Sequence, residues 1–336
     1  MMTKVTVIVP CREEELNRCH CYESLAGQTL TGTEILAEPA KGPMEALLSG
    51  SRRASGQYVM LAYPEDSFRL PALEDLYQIA ESDFVLGGSY HIFPGEKGSL
   101  ELRCSTPLAY GSRDTGVTTP RQRAEVLLRL ASSRCLMIRR DYLLEQEFAC
   151  FCPDMGDSGE ELLLWELLLG AGTIRVLNRP VHRTPGKELP EKTAWEDFAA
   201  CSRRYGTIRK VLMEHPGRTA DFKAVFWSLR FAAEREVMLR LAPGERIKAL
   251  RFMSKELCRG DQMQEIRQEF FDPELYHEML LIRNDPKGYQ YRLEDFEETE
   301  KGGLAAVLKK TGVVRLLKKN KTLYSAAKKF YKAMQK

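Results

Sequence analysis

Acidic side chains stand at the ends of several predicted elements of this chain. Glu38 follows a short apolar strand, and Glu65 and Asp66 follow another. Glu160 and Glu161 stand where a leucine-rich helix is predicted to begin. Carboxylates bind hard divalent cations and take protons from hydroxyl groups as general bases. The acids therefore suit metal-assisted or base-catalysed chemistry, provided that the fold brings them to one place.

The predicted elements of the first part of the chain alternate between strands and helices. The apolar runs predict strands over residues 4–9, 34–37, 57–62 and 83–93, with helices over 12–28, 41–56 and 71–81 between them. This order, with short connections, is typical of a parallel α/β sheet with right-handed crossovers. Ligands of such sheets bind at the carboxyl ends of the strands, where Pro10, Arg12, Glu38 and the pair Glu65–Asp66 fall.

The later part of the chain changes character twice. Residues 94–123 are rich in Gly, Ser, Thr, Pro and Arg and are predicted to be loop-rich, a place where an acceptor could bind. After about residue 190 the pattern is mostly helical. We therefore predict an α/β domain over 1–190, a helical extension over 191–300 and a separate tail over 301–336.

Composition indicates a globular protein with an ordinary core. The chain has 336 residues, of which 43% are hydrophobic and 29% charged. Its apolar start ends at Pro10 after about five residues, too short for a secretion signal, so we expect a cytoplasmic protein. The nine cysteines are odd in number and lack paired CxxC spacing. We expect reduced, buried or half-buried thiols, rather than a metal site at Cys19, His20 and Cys21.

The tail carries the strongest charge asymmetry. Residues 301–336 hold eleven Lys or Arg and no acid, leaving 39 basic against 47 acidic residues in the rest of the chain. Its last part predicts a basic amphipathic helix with one apolar face, formed by Leu323, Ala327, Phe330, Tyr331 and Met334. Such a helix can lie on an anionic membrane surface, here the inner face of the membrane, or be solvated, or pack on a partner. The acidic body argues against nucleic-acid binding.

Several segments together resemble the family 2 glycosyltransferases, in the same order and with similar spacing over about residues 3–183. The matching segments are VTVIVPCRE, SLAGQTL, EILAEP, GPMEALLSG, GQYVMLAYPEDSFRLPALEDLY, IRRDYLLEQ, GEELLLW and VLNRPVHR. The resemblance implies a GT-A-type, Rossmann-like mixed α/β sheet flanked by helices, with a C-terminal helical extension. It also implies inverting transfer of a sugar from a nucleotide-sugar donor to a glycan or lipid-linked acceptor, in cell-surface polysaccharide synthesis.

The resemblance assigns roles to individual residues. Glu65, at the second acid of the family's metal motif, would hold Mn²⁺ or Mg²⁺. Glu161, at the Asp of the family's G-E-D-L motif, would be the catalytic base, with Glu160 beside it. The nucleotide would be contacted by residues at the strand ends, namely Pro10, Arg12, Glu38 and Asp66.

The sequence also departs from the family pattern. Tyr63 replaces an acid of the metal motif, Glu38 stands alone where the family has paired acids, and Leu47 and Leu48 replace an Arg and an Asn. These departures fit an alternative in which the chain keeps the fold but is a catalytically degenerate binding or partner subunit.

Each assigned acid also has a structural interpretation. Glu160 and Glu161 could be ordinary first-turn acids of a helix, and Glu65 and Asp66 could cap a helix beginning near Leu70. Arg12 could belong to a solvated charge pair with Glu13, and Glu38 could have a surface role.

Overall fold

The computed structural model describes residues 2–95, 99–109, 116–130, 135–148, 150, 159–186, 190–215 and 219–295. The predictions made for residues 301–336 therefore lie outside the described residues. No helix within the described ranges combines the length and the apolar character needed to cross a membrane.

Eight strands of the described residues form one mixed sheet in the order β2-β1-β3-β7-β5-β8-β4, with β6 paired to β5. β1 lies parallel to β2 and β3, and β5 lies parallel to β8, whereas β7 runs antiparallel between β3 and β5. This arrangement confirms the predicted mixed α/β fold. The strands are β1 (Val5–Val9), β2 (Thr33–Ala37), β3 (Tyr58–Leu61), β4 (Ser67–Phe68), β5 (Phe84–Pro94), β6 (Leu100–Ser105), β7 (Leu136–Arg139) and β8 (Ile174–Pro185).

Helices cover both faces of the sheet and continue beyond its last strand. They are α1 (His20–Ala26), α2 (Pro43–Arg53), α3 (Ala72–Tyr77), α4 (Pro120–Arg129), α5 (Arg140–Glu145), α6 (Gly159–Gly170), α7 (Trp195–Glu214), α8 (Thr219–Leu239), α9 (Pro243–Gln262) and α10 (Pro273–Asn284). Residues 286–295 are also helical. The helix predicted over 12–28 is divided into a 3-10 helix (Glu13–Arg18) and α1, because Cys19 between them has an extended backbone.

Alternating side chains of the strands pack into two separate cores. In β1, Val5, Val7 and Val9 enter a small core beneath α1 and α3, whereas Ile8 enters a large core on the other face. The large core contains nearly all of α6 and also the buried side chains of the later helices, including Phe198 and Trp227. The helical extension is therefore packed on the sheet through α6.

The prediction of a loop-rich segment over 94–123 is wrong in part. β6 lies there, and α4 begins at Pro120 after a capping box formed by Thr119 and Gln122. The sequence conceals β6 because it is an edge strand with exposed side chains, such as Leu100 at 71% exposure, and so lacks a buried apolar run.

Candidate functional site

The carboxyl ends of β1, β2 and β3 meet at one edge of the sheet. Val9 pairs with Ala37, and Ile8 pairs with Leu61, so the residues after these strands come together. The Glu38 amide donates to the Val9 carbonyl at 2.9 Å, which extends the pairing one residue beyond β2. The structure thus places Pro10, Glu38 and the turn after β3 along the predicted ligand-binding edge.

The turn after β3, formed by Tyr63, Pro64, Glu65 and Asp66 and called the acidic turn below, is closed by its own last residue. The Asp66 amide donates to the Tyr63 carbonyl at 3.0 Å, and Asp66 Oδ2 accepts from the Tyr63 amide at 2.9 Å. Glu65 is exposed, whereas Asp66 is fully buried. The N-cap of α3 is Pro71, so neither acid caps the following helix. The helix-capping interpretation is therefore wrong.

A buried polar network anchors the acidic turn to the sheet. Asp66 Oδ2 lies 3.1 Å from Nε2 of His182, and the His182 Nδ1 lies 3.0 Å from the Ser89 hydroxyl oxygen. His20 Nδ1 donates to the Asp66 carbonyl at 3.2 Å. Strand pairing creates this cluster, because His182 is opposite Phe68 of β4 on one side and opposite Ser89 of β5 on the other. Asp66 therefore holds the acidic turn in the conformation that exposes Glu65 to solvent.

Glu38 is buried, so the alternative that it has a surface role is wrong. Its Oε2 lies 2.6 Å from Nη1 of Arg53, in the last turn of α2. The Arg53 side chain remains about half exposed. The ion pair therefore fixes the Glu38 carboxylate at the carboxyl edge of the sheet. The Arg53 guanidinium lies beside it and reaches solvent.

Pro10 and Arg12 follow β1 at the same edge. Pro10 is half-buried, and Arg12 is exposed at the start of the 3-10 helix, where its amide faces Glu15. Within the described ranges Arg12 has no ion pair, so the proposed charge pair with Glu13 does not form.

Glu161 is a first-turn acid of α6, as the sequence allowed, and its side chain also forms an ion pair with α7. Its Oε2 lies 3.0 Å from Nε of Arg204. Burial raises the pKa of Tyr205 well above its usual value, and the charge of Glu161 raises it further. Glu160, beside it in the same turn, is half-buried. The ion pair fixes the direction of the Glu161 carboxylate.

A cavity of about 340 Å³ opens beside the Glu161 carboxylate. It lies among four helices, α4, α6, α7 and α8, and its wall is mainly apolar. The lining residues are Leu127, Leu130, Glu161, Leu164, Trp165, Arg204, Tyr205, Leu229, Ala232 and Ala233. Glu161 thus belongs to the large-core side of the sheet, whereas the network around Asp66 adjoins the small core.

The described residues contain no group of three or more His, Cys, Asp or Glu side chains that could hold a metal ion by themselves. A single carboxylate such as Glu65 still suits Mg²⁺ or Mn²⁺, which proteins often hold with one or two carboxylates and the phosphates of the substrate. Burial raises the pKa of both Cys11 and Cys21 to about 12, which keeps these thiols protonated and poor as metal ligands. The described cysteines are buried or half-buried, as predicted, except for Cys104 and Cys258, which are exposed.

Several residues of these sites escaped the assignment from sequence. Ser89, Arg53 and Arg204 each meet a predicted site residue or its partner only through strand register or helix packing. His182 gives a weak signal, as a histidine at the end of the last strand, but its partner Asp66 is visible only once β4 is paired with β8.

No protein-family model and no curated protein matches this sequence. The fold is similar to the crystal structure of Staphylococcus aureus TarS 1-349. The two chains are 14% identical, and the TM-score is 0.59 over 90% of this chain and 92% of that chain. The structure of TarS 1-349 with UDP matches at 15% identity and a TM-score of 0.56 over the same shares. The structure with UDP-GlcNAc matches at 15% identity and a TM-score of 0.54, over 88% and 92% of the two chains. The likeness shows that this chain shares the fold of TarS 1-349 over most of its length.

Proposed function

We propose that this chain is a glycosyltransferase that takes a sugar from a nucleotide-sugar donor bound at the carboxyl edge of the sheet. The observation that carries the proposal is the convergence of Arg12, Glu38 and the acidic turn at that edge, within a fold shared with a protein crystallised with UDP and UDP-GlcNAc. The acceptor in this proposal is a glycan or lipid-linked glycan, and transfer proceeds with inversion in cell-surface polysaccharide synthesis.

Donor binding in this proposal depends on charge at the edge. Arg12 is exposed and suits the diphosphate, because a guanidinium donates to phosphate oxygens in a bidentate manner. Pro10 and Glu38 border the nucleotide, while Asp66 holds the turn. Glu65 would hold Mn²⁺ or Mg²⁺, which neutralises charge on the leaving nucleoside diphosphate when bound.

Glu161 is the proposed general base. It takes the proton from the acceptor hydroxyl as that oxygen attacks the anomeric carbon, on the face opposite the departing nucleoside diphosphate. Arg204 holds the carboxylate in one orientation, and the adjoining cavity gives an acceptor group room to approach. Glu160 is the neighbouring carboxylate in the same helical turn.

A second candidate function is supported by the same contacts. Tyr63 stands in place of a metal-motif acid, Asp66 is held in a buried network, and Glu161 is held in an ion pair. These features fit a degenerate member that binds a ligand or partner without turnover.

Turnover separates the two candidates. The wild-type chain is incubated with UDP-, GDP- and CMP-sugars and Mn²⁺, and release of the nucleoside diphosphate or monophosphate is measured. We expect release from at least one donor, and a loss of about 100-fold or more in Glu161→Gln with nucleotide binding unchanged. Glu125→Gln on α4, a half-buried glutamate that also pairs with an arginine, is the matched control. Full turnover in Glu161→Gln would remove this residue from the mechanism, and binding without release by the wild type would favour the degenerate subunit.

A further inference from the structure

A second groove lies on the helical extension, between α7 and α9, and we call it the α7–α9 groove. Its volume is about 450 Å³, within the range of small-ligand sites. It is lined by Trp195, Phe198, Ala199, Ser202, Arg203, Gly206, Arg209, Arg230, Phe252, Glu256 and Arg259. No residue of this groove belongs to the proposed donor site.

The charged side chains that line the α7–α9 groove are four arginines and one acid. Arg230 and Arg259 both approach Glu256, at 3.0 and 3.1 Å, so this carboxylate is shared between two guanidinium groups. Arg209 binds Glu265 from outside the lining at 3.2 Å. Arg203 is exposed and has no ion pair within the described part of the chain. Arg230 also pairs with Glu234 at 2.9 Å, so three carboxylates offset the charges of three arginines. Arg203 supplies the remaining positive charge for an anionic ligand.

Aromatic rings form the apolar part of the same groove. The Trp195 and Phe198 rings lie 5.4 Å apart with an angle of 31° between their planes, and Phe252 meets Phe198 edge-on at 5.9 Å. Phe252 keeps 37% of its surface exposed. Phe198 is buried, so the exposed apolar surface comes from Phe252 and the half-buried Trp195. Such a surface beside guanidinium groups suits a ligand with both C–H faces and negative charges, which is the character of an acidic sugar chain.

Gly206 leaves space in the wall of the groove. It lies in the interior of α7, where glycine costs on the order of 1 kcal/mol relative to alanine. A Cβ added at this position would meet nothing within 4 Å, so packing inside the chain does not require glycine. The missing side chain lets an occupant approach the helix closely.

We propose that the α7–α9 groove binds an anionic glycan, as a distal part of the acceptor site. Consecutive residues of α7 connect the two places, since Arg204 binds Glu161 while Arg203 lines the groove. The assignment to the acceptor rests on the proposed glycosyltransferase function. The anion-binding property itself rests on the groove alone.

The test uses the full chain and isothermal calorimetry with a heparin hexasaccharide as the anionic glycan. The neutral N-acetylchitohexaose tests the need for charge, polyphosphate tests the need for sugar, and an RNA hexamer tests whether a nucleic acid binds equally well. We expect the heparin hexasaccharide to bind, the neutral hexasaccharide to bind undetectably, and the polyphosphate and RNA probes to bind at least tenfold more weakly. Equal or tighter binding of polyphosphate or RNA would overturn the proposal, as would failure of the heparin hexasaccharide to bind.

Variants locate the binding. Arg203→Glu is expected to weaken heparin binding at least tenfold, and Gly206→Tyr to do the same by filling the groove. Arg251→Glu, an equal charge change on an exposed α9 residue outside the groove, is expected to change affinity less than twofold. Equal losses in Arg203→Glu and Arg251→Glu would contradict a localised site.

UDP binding by the same variants is measured in parallel and is expected to be unchanged. If the chain bound heparin through the groove but bound no nucleotide, the glycosyltransferase proposal would fail while the anionic-glycan site remained.

Discussion

At the scale of single residues, His182 connects the acidic turn to the sheet through Asp66. It is fully buried between Asp66 and Ser89, and its ring packs 4.9 Å from the ring of Phe68. Removing the imidazole takes one polar partner from the buried Asp66 side chain, which also accepts from the Tyr63 amide, and losing a partner in a medium of low polarity costs free energy.

We therefore expect His182→Phe to lower the free energy of unfolding by about 3 kcal/mol. The double variant Asp66→Asn/His182→Phe should recover part of this loss, because it removes the buried charge. Urea unfolding of both variants measures the effect. A change below about 0.5 kcal/mol in the single variant, in the range of ordinary surface substitutions, would show that the network does not hold the turn.

Thiol reactivity provides a second residue-scale prediction. Burial raises the pKa of Cys21 and Cys135 to about 12 and that of Cys201 to about 11, so few thiolates exist at pH 8. Ellman's reagent should react promptly with the exposed Cys258 and only after unfolding with these three. Mass mapping of the modified peptides checks the order, and prompt modification of Cys135 in the folded chain would contradict it.

At the scale of elements, α6 is fixed at both ends by other helices. Glu161 in its first turn binds Arg204 of α7. Its C-terminal carbonyls accept from the buried Arg123 of α4, whose Nη1 lies 3.2 Å from the Leu168 oxygen and whose Nη2 lies 3.0 Å from the Gly172 oxygen. Such a cation satisfies carbonyls that the helix itself cannot pair.

Arg123→Met should accordingly destabilise the chain by about 2–4 kcal/mol, since several buried carbonyls lose a charged donor. Arg129→Met, in the last turn of the same helix but exposed, should stay within about 0.5 kcal/mol of the wild type. Chemical denaturation with matched protein concentrations compares the two. Equal stabilities of the two variants would mean that the cap contributes nothing.

Runs of apolar residues correctly predicted the strands and helices that are buried along their whole length. The β-branched run of β1 and the leucine-rich α6 lie where the sequence indicated, because each is buried on both sides. The sequence did not predict β6, because an exposed strand lacks a buried apolar run. It also did not predict the break before α1, because that break depends on the extended backbone of Cys19. The Ser89–His182 contact joins residues 93 positions apart, which only the pairing of β5 with β8 brings together.

At the scale of the whole molecule, one large core connects the sheet to the helices that follow it. Phe198 of α7 and Trp227 of α8 belong to the same cluster as Trp165 of α6. The proposed base and the α7–α9 groove are therefore carried by helices packed on a common core. Under the proposed function, this arrangement places the helical extension beside the acceptor.

The basic tail leads to a prediction about location. We propose that residues 301–336 attach a cytoplasmic enzyme to the inner face of the membrane, because each Lys near an anionic surface contributes on the order of 1 kcal/mol. The full chain should co-sediment with vesicles containing phosphatidylglycerol, and a chain ending at residue 300 should not. Equal binding of both chains would refute docking by the tail, and pure phosphatidylcholine vesicles serve as the control.

The central claim is that the carboxyl edge of the sheet binds a nucleotide-sugar donor, and thermal unfolding with nucleoside diphosphates tests it most directly. UDP, GDP, ADP and CDP are each added to the full chain with and without Mn²⁺. A ligand at 100 times its dissociation constant adds about 2.7 kcal/mol, which should raise the melting temperature by several degrees. We predict such a rise for at least one nucleotide, larger with Mn²⁺, and loss of the Mn²⁺ increment in Glu65→Gln. No rise with any nucleotide, at millimolar concentration and with Mn²⁺ present, would contradict the donor site.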